Sequence, residues 1–223
     1  MANRAYASFW TRKYSEDFML ERFEHFLESL PLTSKDSNFL SLTVRAISPA
    51  ETPVAEHDFR GLSAKPADVI APAREHLSAD CAFEVEASWR LWSWEADHSR
   101  WSRQPERLLL TCQGPEYDDG AADASGHFLI DAGLEHLYTG HGGLLGSRVP
   151  PALTGDPTES EFLTLMSEEQ NLREYHEKTR ENIQQLMNWV QNVERALPIE
   201  RLALWSEGEE NLEARLDDIL AVH

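Results

Sequence analysis

Small and aromatic side chains alternate at the start of the chain. Ala5, Ala7 and Phe9 fall on one side, Tyr6, Ser8 and Trp10 on the other. A period of two is the mark of a strand, so 3–10 is expected to be one. Ser15 then stands in N-cap position ahead of Glu16 and Asp17, which suit the positive end of a helix dipole. Phe18, Met19, Phe23, Phe26, Leu27 and Leu30 recur at helical spacing until Pro31, which cannot continue the helix.

Alternation returns over 39–47, where Leu40, Leu42, Val44 and Ala46 oppose Ser41, Thr43 and Arg45. After Pro49 and Pro53, residues 54–59 read as a short partner strand and 66–77 as a helix opened by Pro66. The strongest strand is 81–94. Cys81, Phe83, Val85, Ala87, Trp89 and Leu91 point one way and Glu84, Glu86, Ser88 and Arg90 the other, until Trp92 and Trp94 reverse the polarity. Residues 107–112 predict a further strand, with 95–106 as the polar connection of a long hairpin. The order through Trp94 is β-α-β-β-α-β, which predicts an α+β, ferredoxin-like antiparallel sheet with additional strands. His127–Ile130 reads as a short strand and Ala132–Tyr138 as one or two helical turns.

Glycines between 140 and 146 and the Pro150-Pro151 pair mark a break. The expected division is a sheet domain over 1–140, a linker over 141–157 and a helical region over 158–223. Thr158 and Glu161 have capping-box spacing. Beyond them Phe162, Leu165, Glu169, Leu172, His176, Thr179, Ile183, Leu186, Val190, Val193 and Leu197 keep a 3-4 alternation. This predicts one helix of about 36 residues, roughly 54 Å long. Pro198 ends it, and 209–222 predicts a closing helix with Leu212, Leu216, Ile219 and Leu220 on one face. The two helices are expected to fold back as a hairpin. The alternative is a homodimer paired through the heptad-like stripe of 158–197.

The chain has 223 residues and a formal net charge of −19. Such a charge repels phosphate backbones unless a basic patch is concentrated somewhere, and Arg100, Arg103 and Arg107 are interrupted by other residues. Nucleic-acid binding is therefore not expected; a protein partner, basic in character, suits the acidity better. No stretch approaches the roughly 20 apolar residues of a membrane span, and no signal peptide is read at the N-terminus. Two cysteines do not make a disulfide framework, so Cys81 and Cys112 read as buried thiols of a cytoplasmic protein.

Few residues carry recognisable chemistry. His127, Asp131, His136 and His141 are metal-ligand types, but their spacing matches no motif. Glu116, Asp118, Asp119 and Asp123 lack the alternation of a calcium loop. The glycines of 140–146 miss the dinucleotide fingerprint, and Glu84 with Glu86 reads as a solvated strand face. No catalytic residue and no cofactor is assigned. Trp92, Trp94 and Trp101 are the stronger signal, either as core or as an aromatic surface for a partner or ligand. The expected function is a non-catalytic interaction protein of inhibitor or immunity type. The alternative is a small enzyme or ligand binder with a pocket near Trp89–Trp101 and His127–His141. A covered cavity holding at least two of the four His/Asp residues would favour that alternative.

Overall fold

The computed structural model describes residues 2–31, 39–141, 144–145 and 157–221. β1 (Arg4–Thr11) leads into α1 (Glu16–Glu28), followed by β2 (Phe39–Ala46), β3 (Ala55–Asp58), α2 (Pro66–Ala73), β4 (Cys81–Glu95) and β5 (Arg100–Gln113). The chain continues through α3 (Ala122–Ser125), β6 (Phe128–Leu134), α4 (His136–Thr139), α5 (Pro157–Met166), α6 (Glu169–Ala196), β7 (Ile199–Ser206) and α7 (Leu212–Ala221). The strands form one antiparallel sheet in the order β3-β2-β4-β5-β6-β1-β7, so the fold is mixed α+β.

The expected element order is present, but the expected pairing is not. In a ferredoxin-like core, each pair of strands joined through a helix is split by one strand. Here β3 and β4 are split by β2 alone, whereas β1 and β2 are separated by β4, β5 and β6. Helix α1 thus carries the chain from one side of the sheet to the other. β1 is free to lie there because β6 and β7 supply its two neighbours.

β7 is the element that the apolar pattern missed. It lies within the region expected to be helical, yet it pairs with β1 from Ala5↔Ser206 to Thr11↔Ile199. Its signal is Ile199 and Leu202, half-buried, and Leu204, buried, set among Glu200, Arg201, Ala203 and Trp205. So α6 and α7 are joined by a strand of the same sheet rather than by a hairpin turn.

The expected long helix is two. Ser167 Oγ bonds the Leu163 carbonyl at 2.6 Å, and Asn171 Nδ2 bonds the Leu165 carbonyl at 2.9 Å. These side chains offer the backbone partners that a continuing helix would replace, and Glu168 turns extended (φ −65°, ψ 136°) ahead of α6. Helix α5 already begins at Pro157, so Thr158 lies in its first turn rather than at a cap. The buried face of α6 holds the expected Ile183, Leu186, Val190 and Val193, but also Tyr175, Asn182 and Trp189. That stripe is occupied within the chain, by the sheet and by α1, α4 and α7.

Other boundaries shift for similar reasons. β5 reaches back to Arg100, so the expected polar connection shrinks to a 3-10 turn at Ala96–His98 plus Ser99 in left-handed conformation (φ 46°). β6 runs on to Leu134 because β1 pairs with it that far, which leaves only His136–Thr139 as a helical turn. The core is aromatic. Phe26 lies 5.5 Å from Phe9, 5.1 Å from Phe128 and 5.7 Å from Trp189, centroid to centroid, and Trp189 is 5.9 Å from Trp89.

Candidate functional site

The β4–β5 hairpin outruns its neighbours. β2 pairs with β4 only as far as Ala87, and β6 pairs with β5 only from Leu109 to Cys112. The far end, from Trp89↔Glu106 to Glu95↔Arg100, is therefore a two-stranded ribbon. Pro105 is tolerated there because β5 has no second strand beside it. Where β2 stops, α6 closes the open edge of β4 with a side chain. Asn182 Oδ1 accepts the Trp92 N–H at 2.8 Å, while its Nδ2 donates to the carbonyls of Trp92 and Leu137, each at 3.0 Å. One buried amide thus imitates a strand and ties β4, α4 and α6 together.

A cavity of about 390 Å³ lies at this junction. Trp92 and Trp94 of β4, Trp101 of β5, His136 of α4, His141, Glu159 and Phe162 of α5, and Tyr175 of α6 line it. The rings form a continuous wall. Trp94 meets Trp101 edge-on at 5.5 Å, Trp101 stacks on Tyr175 at 5.2 Å, and Tyr175 meets Phe162 at 6.0 Å. Phe162 is 5.8 Å from His141, which is 5.8 Å from His136.

The polar atoms are few and placed. His141 Nε2 pairs with Glu159 Oε1 at 2.8 Å, and the His141 backbone N–H donates to the Tyr175 hydroxyl at 2.6 Å. Burial pushes the Tyr175 phenol up to about 12, so it stays protonated. Burial, then the neighbouring His141, lowers the His136 pKa and holds that ring neutral. Among the described residues the His136 ring has no hydrogen-bond partner. On the outer side, Lys178 Nζ sits 4.0 Å from the centre of the Trp92 ring and 3.0 Å from Glu181 Oε1, and the Trp92 indole N–H donates to Glu181 at 2.5 Å.

All three tryptophans singled out from the sequence, Trp92, Trp94 and Trp101, line this cavity, whereas Trp89 is core at 3% exposure. The four His/Asp residues divide. His136 and His141 reach the cavity. His127 is buried elsewhere, stacked 3.9 Å from Tyr14 with Nδ1 accepting the Thr11 N–H at 2.9 Å. Asp131 pairs with Arg4 at 2.5 Å and accepts the Gly133 N–H at 3.0 Å. No group of three or more His, Cys, Asp or Glu among the described residues is placed to hold a metal ion. Cys81 and Cys112 are buried and unpaired with each other; Cys112 faces Phe83, and burial pushes the two thiols up to about 11 and about 12. Glu84 and Glu86 are paired with Arg45 and Arg107.

Sequence reading missed Glu159, Tyr175 and Asn182. A second series at helical spacing, Tyr175, Thr179, Asn182, Leu186, Trp189 and Val193, was available beside the stripe that was read. It is less apolar, and so was hidden by its neighbour. Among the described residues no helix is long and apolar enough to cross a membrane. No protein family, no curated protein and no solved structure matches the chain.

Proposed function

We propose that this protein binds a small organic molecule in the cavity at the end of the β4–β5 hairpin. The observation that carries the reading is a cavity walled by Trp94, Trp101, Phe162 and Tyr175 that also holds two histidines and a carboxylate. A volume of about 390 Å³ falls within the range of small-molecule sites, roughly 300–1,000 Å³. Mostly apolar walls with a few convergent polar atoms are the composition such sites share. The neutral His136, which has no hydrogen-bond partner among the described residues, and the His141–Glu159 pair supply both donor and acceptor capacity toward a ligand.

The interaction-protein reading keeps one observation in its favour. The face of the sheet away from α1 and α6 carries Tyr6 stacked on half-exposed Trp205 at 4.2 Å and Arg201 packed 3.4 Å over Trp10. A protein partner, basic in keeping with the chain's acidity, would sit there rather than in the cavity.

Titrating a panel of small neutral, cationic and anionic aromatics against tryptophan fluorescence and histidine NMR resonances separates the two. The cavity reading expects at least one compound that shifts His136 and His141 and loses its effect in Trp94→Leu. Silence of the cavity signals to the whole panel would reject the reading, as would responses confined to Tyr6, Trp10 and Trp205.

A further inference from the structure

Resting on that reading, we infer that the ligand is an uncharged organic molecule with a hydroxyl group, and that the His136 ring holds that hydroxyl. The cavity has no counter-charge to spare for an ion. Among the described residues no Lys or Arg lines it, so an anion would find no fixed positive charge there. Glu159 is already engaged, because it pairs with His141 Nε2 at 2.8 Å and has a further interaction besides. A cation would have to displace those partners before it could use the carboxylate. Bringing an ion out of water without a matched partner costs far more than bringing in a neutral group.

His136, by contrast, makes no hydrogen bond or ion pair among the described residues; its ring contact is with His141, 5.8 Å away between centroids. Neither of its ring nitrogens is sealed in, as the unpaired Trp89 indole nitrogen and Tyr117 hydroxyl are. A nitrogen that is unpaired yet reachable, on a residue that lines the cavity, is open to a ligand. Burial and the neighbouring His141 keep the ring neutral, so it offers one N–H and one lone pair. A hydroxyl also carries both a donor and an acceptor and therefore meets either nitrogen in either tautomer, whereas a carbonyl or an ether meets only the N–H. Tyr175 adds an uncharged donor. Its hydroxyl accepts the His141 backbone N–H at 2.6 Å, and nothing among the described residues accepts its own proton. Ala96, Leu137 and Phe162 add carbon to the lining, which suits an apolar body behind the hydroxyl.

Benzyl alcohol, ethylbenzene, benzylammonium and benzoate form a suitable set of probes. They share a phenyl ring and differ in the end group, which is a hydroxyl, a methyl, a cation or an anion. The expected result, read by calorimetry and by the His136 resonance, is at least about tenfold tighter binding of benzyl alcohol than of either ion. In His136→Leu the alcohol should weaken about tenfold relative to ethylbenzene, because a buried hydroxyl is then left unpaired. His136→Gln keeps a donor and an acceptor and should recover most of that loss. Since His136 makes no hydrogen bond within the described fold, both variants should melt within a few degrees of the parent. Equal or tighter binding of benzylammonium or benzoate would overturn the uncharged assignment. An alcohol-to-ethylbenzene ratio that does not move in His136→Leu would overturn the role of His136. Either result leaves the cavity reading standing. If none of the probes binds, this inference fails; if the wider panel also leaves the cavity silent, the binding reading fails with it.

Discussion

Two aromatic regions lie on the same strand, β4, and they differ in what closes them. Around Trp89 the rings of Phe26, Phe128, Trp189 and Tyr138 are covered by α1 and α6, and each is 3% exposed or less. The ribbon has left β2 and β6 behind at Ala87 and Leu109, and past Leu91 it runs on beyond this core. There, among the described residues, α4, α5 and the start of α6 lie against Trp94 and Trp101, and the packing leaves a hollow. The residue types are nearly the same. The difference lies in how completely the covering elements fill the space against the rings, so aromatic content alone does not distinguish a filled core from a binding cavity.

The histidines draw the same contrast. His127, near the closed region, has its ring covered by Tyr14 and its Nδ1 engaged by Thr11. His136, in the open region, is neutral and has no hydrogen-bond partner among the described residues. One group is held by the fold and the other is left available to something outside it.

The comparison breaks most sharply at Leu186, which is 1% exposed on the inner face of α6. Leu186→Asp buries an unpaired charge in the closed region and is expected to cost about 4 kcal/mol or more. An unchanged melting transition would show that α6 does not pack there. Asn182→Leu comes next, since it keeps volume but leaves the Trp92 N–H and the carbonyls of Trp92 and Leu137 unpaired. Three lost hydrogen bonds at about 1 kcal/mol each give about 3 kcal/mol in a chemical denaturation experiment. The ligand response should weaken with them, because this amide joins the two regions.

His127 tests the closed region by pH. Burial lowers its pKa from 6.5 to about 4, so the unfolded chain takes up the proton first as pH falls. Stability from this group is complete above pH 6.5 and is lost between 6.5 and about 4, by something on the order of 3 kcal/mol. In His127→Gln that part of the pH dependence should flatten. If it does not, or if the His127 resonance titrates near 6.5, the ring is not shielded as described. The smallest effect on stability belongs to Trp94→Leu, at about 1 kcal/mol, against about 2–3 kcal/mol for Trp89→Leu. Equal losses at the two positions would mean that the cavity wall is ordinary core.

Much of this architecture is legible in the chain. Alternation locates β1, β2 and β4 to within a residue or two, and helical spacing locates α1 and α7, because each of these elements buries one face and exposes the other. The tryptophans of the cavity stand out for the same reason, as the point where the alternation of β4 reverses. β7 was not legible, since only Leu204 of its side chains is buried outright and Ile199 and Leu202 are half-buried, and neither was the break at Ser167, which depends on which carbonyls its hydroxyl reaches.

What the sequence determined by itself is local: which segments are strands or helices, and which residues have the character of a site. Periodicity is written into neighbouring residues and needs no partner to be read. Only the tertiary structure decided that β1 pairs with β6 and β7 rather than with the strands near β2, that Asn182 takes the place of a missing strand, and that His136 and His141 meet Trp94 and Trp101 while His127 and Asp131 do not. Those outcomes depend on contacts between residues far apart in the chain. Several pairings satisfy the same local pattern, and packing and hydrogen-bond satisfaction across the whole sheet select among them.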